Sequence, residues 1–212
     1  MTNTIEILGK IMGSTTRVKL MRLFMFHPGH GFTRDELVKK TKANLTSIRA
    51  ELVILEKAGF ITKRDAMLSS LRRNGKPNGK KKKVIAYALQ ATFPLIEPFH
   101  ALLLDSELVA LPDLPQRLKA VGKIKLLVVS GIFTRDTERA LDLLIVGDKM
   151  DGAVFQKQIA LLESEIGKEL RYAIFTTDEF MYRMKMYDKL LRDVFDYPHQ
   201  KLVNQLSISE LS

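Results

Sequence analysis

Apolar positions in the first sixty residues recur at helical spacing in blocks opened by capping residues. Ser14 or Thr15 can cap a helix running through RVKLMRLFMFH, which is apolar on most sides and so expected in a core, and Pro28-Gly29 stops it. In Phe32-Thr33-Arg34-Asp35-Glu36-Leu37, Thr33 and Glu36 stand at capping-box spacing and Phe32 and Leu37 at hydrophobic-staple positions, which predicts a short helix over 34–40. Asn44 can cap a third helix that places Leu45, Ile48, Leu52 and Leu55 on one face. Gly59 suits the left-handed residue beyond that helix, and Phe60 can pack back on Leu55. Phe60 to Arg64 then reads as a strand and Val84 to Leu89 as its partner, joined by a long polar loop with Asn74-Gly75, Pro77 and Asn78-Gly79.

The pattern changes further along. An apolar helix over 93–107 leads to Leu111-Pro112-Asp113-Leu114-Pro115, which breaks the periodicity and marks the start of a second unit. Ile124 to Val129 and Leu141 to Val146 are short apolar strands that belong inside a sheet. Between Asp151 and Gly167, the residues Phe155, Ile159, Leu162 and Ile166 mark one helix face, and Arg171 to Phe175 is another strand. Thr176 and Glu179 form a second capping box, opening a helix expected to carry Phe180, Met184, Tyr187 and Leu191 on one face. Strands alternating with helices predict an α/β sandwich. The expected organisation is two α/β-class domains: residues 1–92, a connecting helix and linker over 93–114, and residues 115–212.

Charge sharpens this division. Residues 1–90 hold 19 of the 34 Lys and Arg residues but 6 of the 24 Asp and Glu residues, a formal balance of +13 against −3 for the remainder. Basic charge concentrated in one part favours a polyanion through counterion release; the alternative is a solvated basic surface. Composition also excludes chemistry. There are no cysteines, so disulfides, thiolate metal sites and cysteine nucleophiles are ruled out. His27, His30, His100 and His199 show no metal-ligand spacing, and no metal or cofactor is expected. The opening MTNTIEILGK lacks a basic leader before an apolar region, and nowhere do eighteen apolar residues run together. A soluble, cytoplasmic protein without a membrane partner is expected.

Residues of about 10–92 resemble the winged helix-turn-helix regulators of the ArsR-like and related classes. GSTTRVKLMRLFMFHPG, FTRDELVKKTKANLTSIRAELVILEKAGFITKR and the basic hairpin carry the resemblance. It implies three helices plus a β-hairpin wing, with the third helix entering the major groove of duplex DNA. Thr46, Ser47 and Arg49, beside Ala50, would then face bases. Arg49 is the preferred base reader because its fork can engage a guanine edge at two points; its alternative is a pair with Glu51 or solvent. Arg34, Lys42 and the wing residues Arg72, Arg73, Lys76, Lys80, Lys81, Lys82 and Lys83 would lie along phosphates. The missing cysteine and histidine pairs argue against metal sensing.

Residues of about 115–200 resemble the minimal nucleotidyltransferases, which place a Gly-Ser turn after the first strand and an Asp-x-Asp pair on the next. Ser130-Gly131 falls at the turn and Asp142 at the first carboxylate. Ile132 follows Gly131 where serine is expected, and Leu144 takes the second carboxylate's place. One aspartate cannot hold two magnesium ions on a triphosphate against their hydration. The strand Arg171 to Phe175 adds no inward carboxylate, and Glu169 lies at its margin. A catalytically inactive relative is therefore expected, with Asp142 capping a strand end or binding an amide.

Three functional classes follow. A DNA-binding transcriptional regulator has most support, its C-terminal domain serving assembly or regulation. A magnesium-dependent nucleotidyltransferase of the minimal toxin-like type would need Asp142 to coordinate metal. A non-enzymatic interaction scaffold would leave the lysine run as a solubility device. A homodimer is expected because one recognition helix reads too few base pairs to select a genomic site. Phe99, Leu102 and Leu103 on the connecting helix are the candidate dimer surface, or else they join the two cores. An unidentified protein or small-molecule effector is a further candidate partner.

Overall fold

In the computed structural model, which describes residues 4–71, 77–104 and 113–208, helix α1 (Thr4–Met12) precedes helix α2 (Thr15–Phe26). Ser14 starts α2, its hydroxyl accepting from the Arg17 amide at 3.3 Å. Val18, Leu20, Met21, Leu23, Phe24 and Met25 are all buried on α2, as its all-round apolar surface requires of a core helix. Arg22 lies buried among them and donates Nε to the Leu103 carbonyl at 2.9 Å. Burial pushes its guanidinium down to about 10.

Strand β1 (Phe32–Thr33) leads directly into helix α3 (Arg34–Thr41). The Thr33 amide donates to Glu36 Oε2 at 2.7 Å and the Glu36 amide to Thr33 Oγ1 at 3.4 Å, so the reciprocal cap forms. Phe32 and Leu37 are both buried beside it. Helix α4 (Leu45–Lys57) begins at Asn44, whose Oδ1 accepts from the Ser47 amide at 2.8 Å. Ile48, Leu52 and Leu55 form its buried stripe. Leu45, expected on that stripe, is exposed instead, because as the first helical residue it lies at the end of α4 rather than over the core. Gly59, with φ at +74°, turns the chain, and the Phe60 amide returns to the Leu55 carbonyl at 3.0 Å.

Strands β2 (Ile61–Leu71) and β3 (Pro77–Leu89) pair antiparallel, and β1 adds to the other side of β3, giving the order β1-β3-β2. Much of the expected polar loop is thus ladder: pairing runs from Ile61 with Leu89 to Leu71 with Pro77, with an irregularity between Ser69 and Leu71. The polar composition of these arms hides the strands from a periodicity test. Once Ile61 and Leu89 are in register, each further pair extends the hairpin without closing a new loop.

Helix α5 (Ile96–Leu104) follows. Phe93 stacks on Phe99 at 6.0 Å between centroids, and both meet the Phe60 ring edge-on. Leu103 is buried, which leaves Leu95 and Leu102 as the exposed large apolar residues of this segment.

Contacts divide the chain into two units, one running Leu8–Leu103 and taking in Ser164–Gly167, the other comprising the remaining described residues. The second unit contains helix α6 (Leu114–Leu118), strands β4 (Lys123–Val129) and β5 (Leu143–Asp148), and most of helix α7 (Gly152–Ile166). Strand β6 (Tyr172–Phe175), helices α8 (Thr177–Lys185) and α9 (Lys189–Phe195), and strand β7 (Gln200–Asn204) complete it. The mixed sheet has the order β6-β5-β4-β7, with only β5 and β6 parallel. Leu126, Val128, Leu144 and Val146 form a core on one face with Phe180, Leu191, Val194 and Phe195 of α8 and α9. On the other face α7 packs, Phe155 meeting Tyr172 edge-on at 5.1 Å.

The second capping box forms as expected, the Thr176 amide reaching Glu179 Oε2 at 2.9 Å. The helix it opens is shorter than its apolar spacing predicts. Tyr187 adopts a φ of 52° and is exposed, and the Asp188 carboxylate accepts from the Leu190 and Leu191 amides at 2.9 and 3.3 Å. An aspartate that binds amides ahead of it starts a new helix rather than extending the old one, so Phe180 and Leu191 reach the same core from separate helices.

Candidate nucleic-acid interface

The buried stripe of α4 determines what that helix presents. With Ile48, Leu52 and Leu55 inward, Leu45, Thr46, Arg49, Ala50, Val53 and Ile54 are exposed and Ser47 is half-buried. Glu51 does not pair with Arg49: it is buried, and Arg17 Nε holds its Oε2 at 2.7 Å. That ion pair ties α4 to α2. Arg49 carries no ion pair among the described residues, so its fork is available to an external acceptor.

Lys42 ends α3 in the left-handed region, with φ at 55°, and its side chain is exposed in the turn before α4. Arg34 opens α3 and is oriented by a residue far along the chain. Its Nε and Nη2 donate to the Tyr87 hydroxyl at 3.2 and 2.8 Å, and its guanidinium lies 5.8 Å from the centre of the Tyr87 ring. Tyr87 itself is buried on β3. Thr33, Arg34, Asp35, Leu45, Arg49, Val84 and Ile85 line an open cleft of about 340 Å³ between the start of α4 and β3.

On the ribbon, Lys83 meets Asp65 at 2.8 Å, with both side chains about two-thirds exposed. Such a pair is worth little in water and yields readily to a phosphate. Lys80, Lys81 and Lys82 lie on β3 outside the described side chains, and Arg72, Arg73 and Lys76 lie outside the described residues. Lys63 is held by Glu56 at 2.7 Å, a hydrogen bond that raises its ammonium above the ordinary lysine value. The structure therefore brings Arg34, Thr46 and Arg49 together around one cleft and its helix. It adds Tyr87, which sequence reasoning missed because its partner lies 53 residues away.

The other candidate centre is Asp142, fully buried immediately before the first residue of β5. Its Oδ1 accepts from the Ile132 amide and Arg171 Nη2, both at 2.9 Å. Its Oδ2 accepts from the Arg171 amide at 2.9 Å and Arg171 Nε at 3.1 Å. Four donors fill the acceptor positions of a carboxylate, so a metal ion would have to displace them. The hydrogen bond to Asp142 raises the Arg171 guanidinium above its usual value. Gly131 has φ at +57°, and a Cβ there would run into Asp142 Oδ1 and the Leu141 carbonyl. The residue at the second carboxylate's position, Leu144, is buried in the apolar core.

A third polar cluster sits where β5 meets α8. Lys125 Nζ contacts Asp148 Oδ2 at 2.7 Å, and the Thr177 amide and hydroxyl donate to the same carboxylate at 3.0 and 2.8 Å. The bond from Lys125, then those from Thr177, lower the Asp148 carboxyl to about 2. Among the described residues, no group of three or more acidic or histidine side chains could hold a metal ion, and no helix is long and apolar enough to cross a membrane.

No protein family, curated protein or solved structure matches the chain.

Proposed function

We propose that residues 1–92 form a winged helix-turn-helix domain that binds duplex DNA, and that the protein is a transcriptional regulator. The observation that carries this reading is the capped pair α3 and α4. It leaves Thr46 and Arg49 exposed at the start of α4, beside Arg34 and next to a two-stranded ribbon rich in lysine. A helix with that face fits the major groove, where Arg49 can reach both acceptors of a guanine. Thr46 and Ser47 serve a neighbouring base or phosphate. Arg34, Lys42 and the cations Arg72, Arg73, Lys76, Lys80, Lys81, Lys82 and Lys83 would meet phosphates, which accounts for the +13 balance of residues 1–90.

The second unit is a catalytically inactive relative of the minimal nucleotidyltransferases that serves assembly or regulation. The saturation of Asp142 by Arg171 and Ile132 supports a structural role for this carboxylate. A homodimer reading a two-fold operator meets the need for enough base pairs to select a site.

Fluorescence-anisotropy titration of a mixed duplex library at several salt concentrations tests the proposal. Wild type should bind with a steep inverse salt dependence, replacement of Lys80 to Lys83 by alanine should flatten it, and Arg49→Ala should chiefly relax sequence preference. Absent binding, or affinity indifferent to salt, would overturn the reading in favour of a protein-interaction module.

A further inference from the structure

Leu45 occupies the first helical position of α4 and is 36% exposed. Ile85, across the cleft on β3, is 49% exposed, and Val84 lies beside it. These three residues give the cleft an apolar wall, while Arg34 and Arg49 outnumber Asp35 and make it cationic. Leaving large apolar side chains in water among guanidinium groups brings no benefit to the free protein. The combination fits a ligand that is anionic overall and carries a small apolar group at the same edge.

Resting on the DNA-binding reading above, we infer that this cleft reads a thymine, Leu45 and Ile85 taking its C5-methyl group while Arg49 takes a guanine close by. On the base edges of the major groove the thymine methyl is the one apolar group larger than hydrogen; cytosine has only C5–H there, and the remaining positions present hydrogen-bond donors or acceptors. The helix sets the spacing. Leu45 and Arg49 are four residues apart, about 6 Å of rise, against roughly 3.4 Å between base pairs. The thymine therefore lies within about two base pairs of the guanine. Leu45 and Ile85 are specificity determinants for that one position, and the lysines of the ribbon contribute affinity without choosing the base.

Duplexes selected from a random library by the wild-type chain provide the test, resynthesised with deoxyuridine in place of each thymine in turn. This exchange removes one methyl group and leaves the pairing edges unchanged. At one thymine within about two base pairs of the guanine whose preference Arg49→Ala loses, deoxyuridine should weaken wild-type binding about fourfold, the worth of one buried methyl. Leu45→Ala, which leaves Ile85 alone against the methyl group, should lose less affinity on the exchange to deoxyuridine than wild type does. The wild-type comparison stands whether or not Leu45→Ala folds, which its circular dichroism spectrum decides. If selected duplexes bind and no deoxyuridine weakens them, or if folded Leu45→Ala keeps the full methyl preference, the inference falls and DNA binding stands. If no duplex is selected, DNA binding falls and the inference with it.

Discussion

Arg34 and Tyr87 are joined by two hydrogen bonds, from Nε at 3.2 Å and Nη2 at 2.8 Å to one phenolic oxygen, which fasten the first turn of α3 to the last residues of β3. The guanidinium is exposed and the phenol buried, so the contact holds a surface cation in a fixed orientation from beneath. Tyr87→Phe should lower unfolding free energy by only about 1 kcal/mol, since Arg34 can turn to water. It should cost more in DNA affinity at low salt than in stability, because Arg34 then has to be ordered on binding. Urea denaturation beside anisotropy titration measures both, and a loss confined to stability would show that the orientation is immaterial to DNA.

Arg17 and Glu51 fix α4 against α2 through a mostly buried ion pair. Glu51→Ala leaves the Arg17 guanidinium without its carboxylate, and a loss of about 2 kcal/mol is expected. The double change Arg17→Met with Glu51→Leu should recover much of it, because an apolar pair carries no desolvation penalty. Urea midpoints of wild type and the two variants measure both effects. A double variant no more stable than Glu51→Ala would mean that the pair is needed as such.

Asp142 holds the start of β5 to the Arg171 backbone and to the turn at Ile132. Asp142→Ala should destabilise the chain by about 3 kcal/mol, because two half-buried amides and a guanidinium lose their acceptor together. Calorimetry reads the effect as a lower melting temperature. Wild type incubated with magnesium and nucleoside triphosphates should transfer no nucleotide to itself; labelled product that disappears with Asp142→Ala in a still-folded protein would restore the enzyme reading.

Asp148 gives a pH signature. Its carboxyl is lowered from 3.8 to about 2 by Lys125 and Thr177, so its contribution is complete above the unfolded value and is lost as pH falls through the folded one. The stability gap between wild type and Asp148→Asn should therefore stay constant from about pH 7 to pH 5 and shrink below about pH 4. Urea titrations across that range measure it, and a gap that widens on acidification would contradict the assignment.

Local chemistry was legible in the sequence and long-range contacts were not. The Thr33/Glu36 and Thr176/Glu179 boxes and the Asn44 cap involve residues three apart, so spacing alone revealed them. The inward faces of α4 and α7 followed from helical period, except that Leu45 sits where the helix has already left the core. The break at Tyr187 escaped because Phe180, Met184 and Leu191 keep an apolar rhythm across two helices. Strand β7, only half-buried between polar ends, gave too weak a signal. Asp142 was visible as a candidate, but its engagement by Arg171, 29 residues on, depends on which strands lie side by side.

The ribbon of β2 and β3 has one more consequence. Among the described residues, β1 covers β3 only opposite Ala86 and Tyr87, and the outer side of β2 is unpaired along its 11 residues. Long open strand edges invite other chains to dock by main-chain pairing. Like charge on Lys80 to Lys83 opposes the approach of two such ribbons, so the lysines proposed to meet phosphates would also guard this edge against self-association. On the proposed function, concentrated salt would act twice, screening the attraction to phosphate and the repulsion between copies of the ribbon alike.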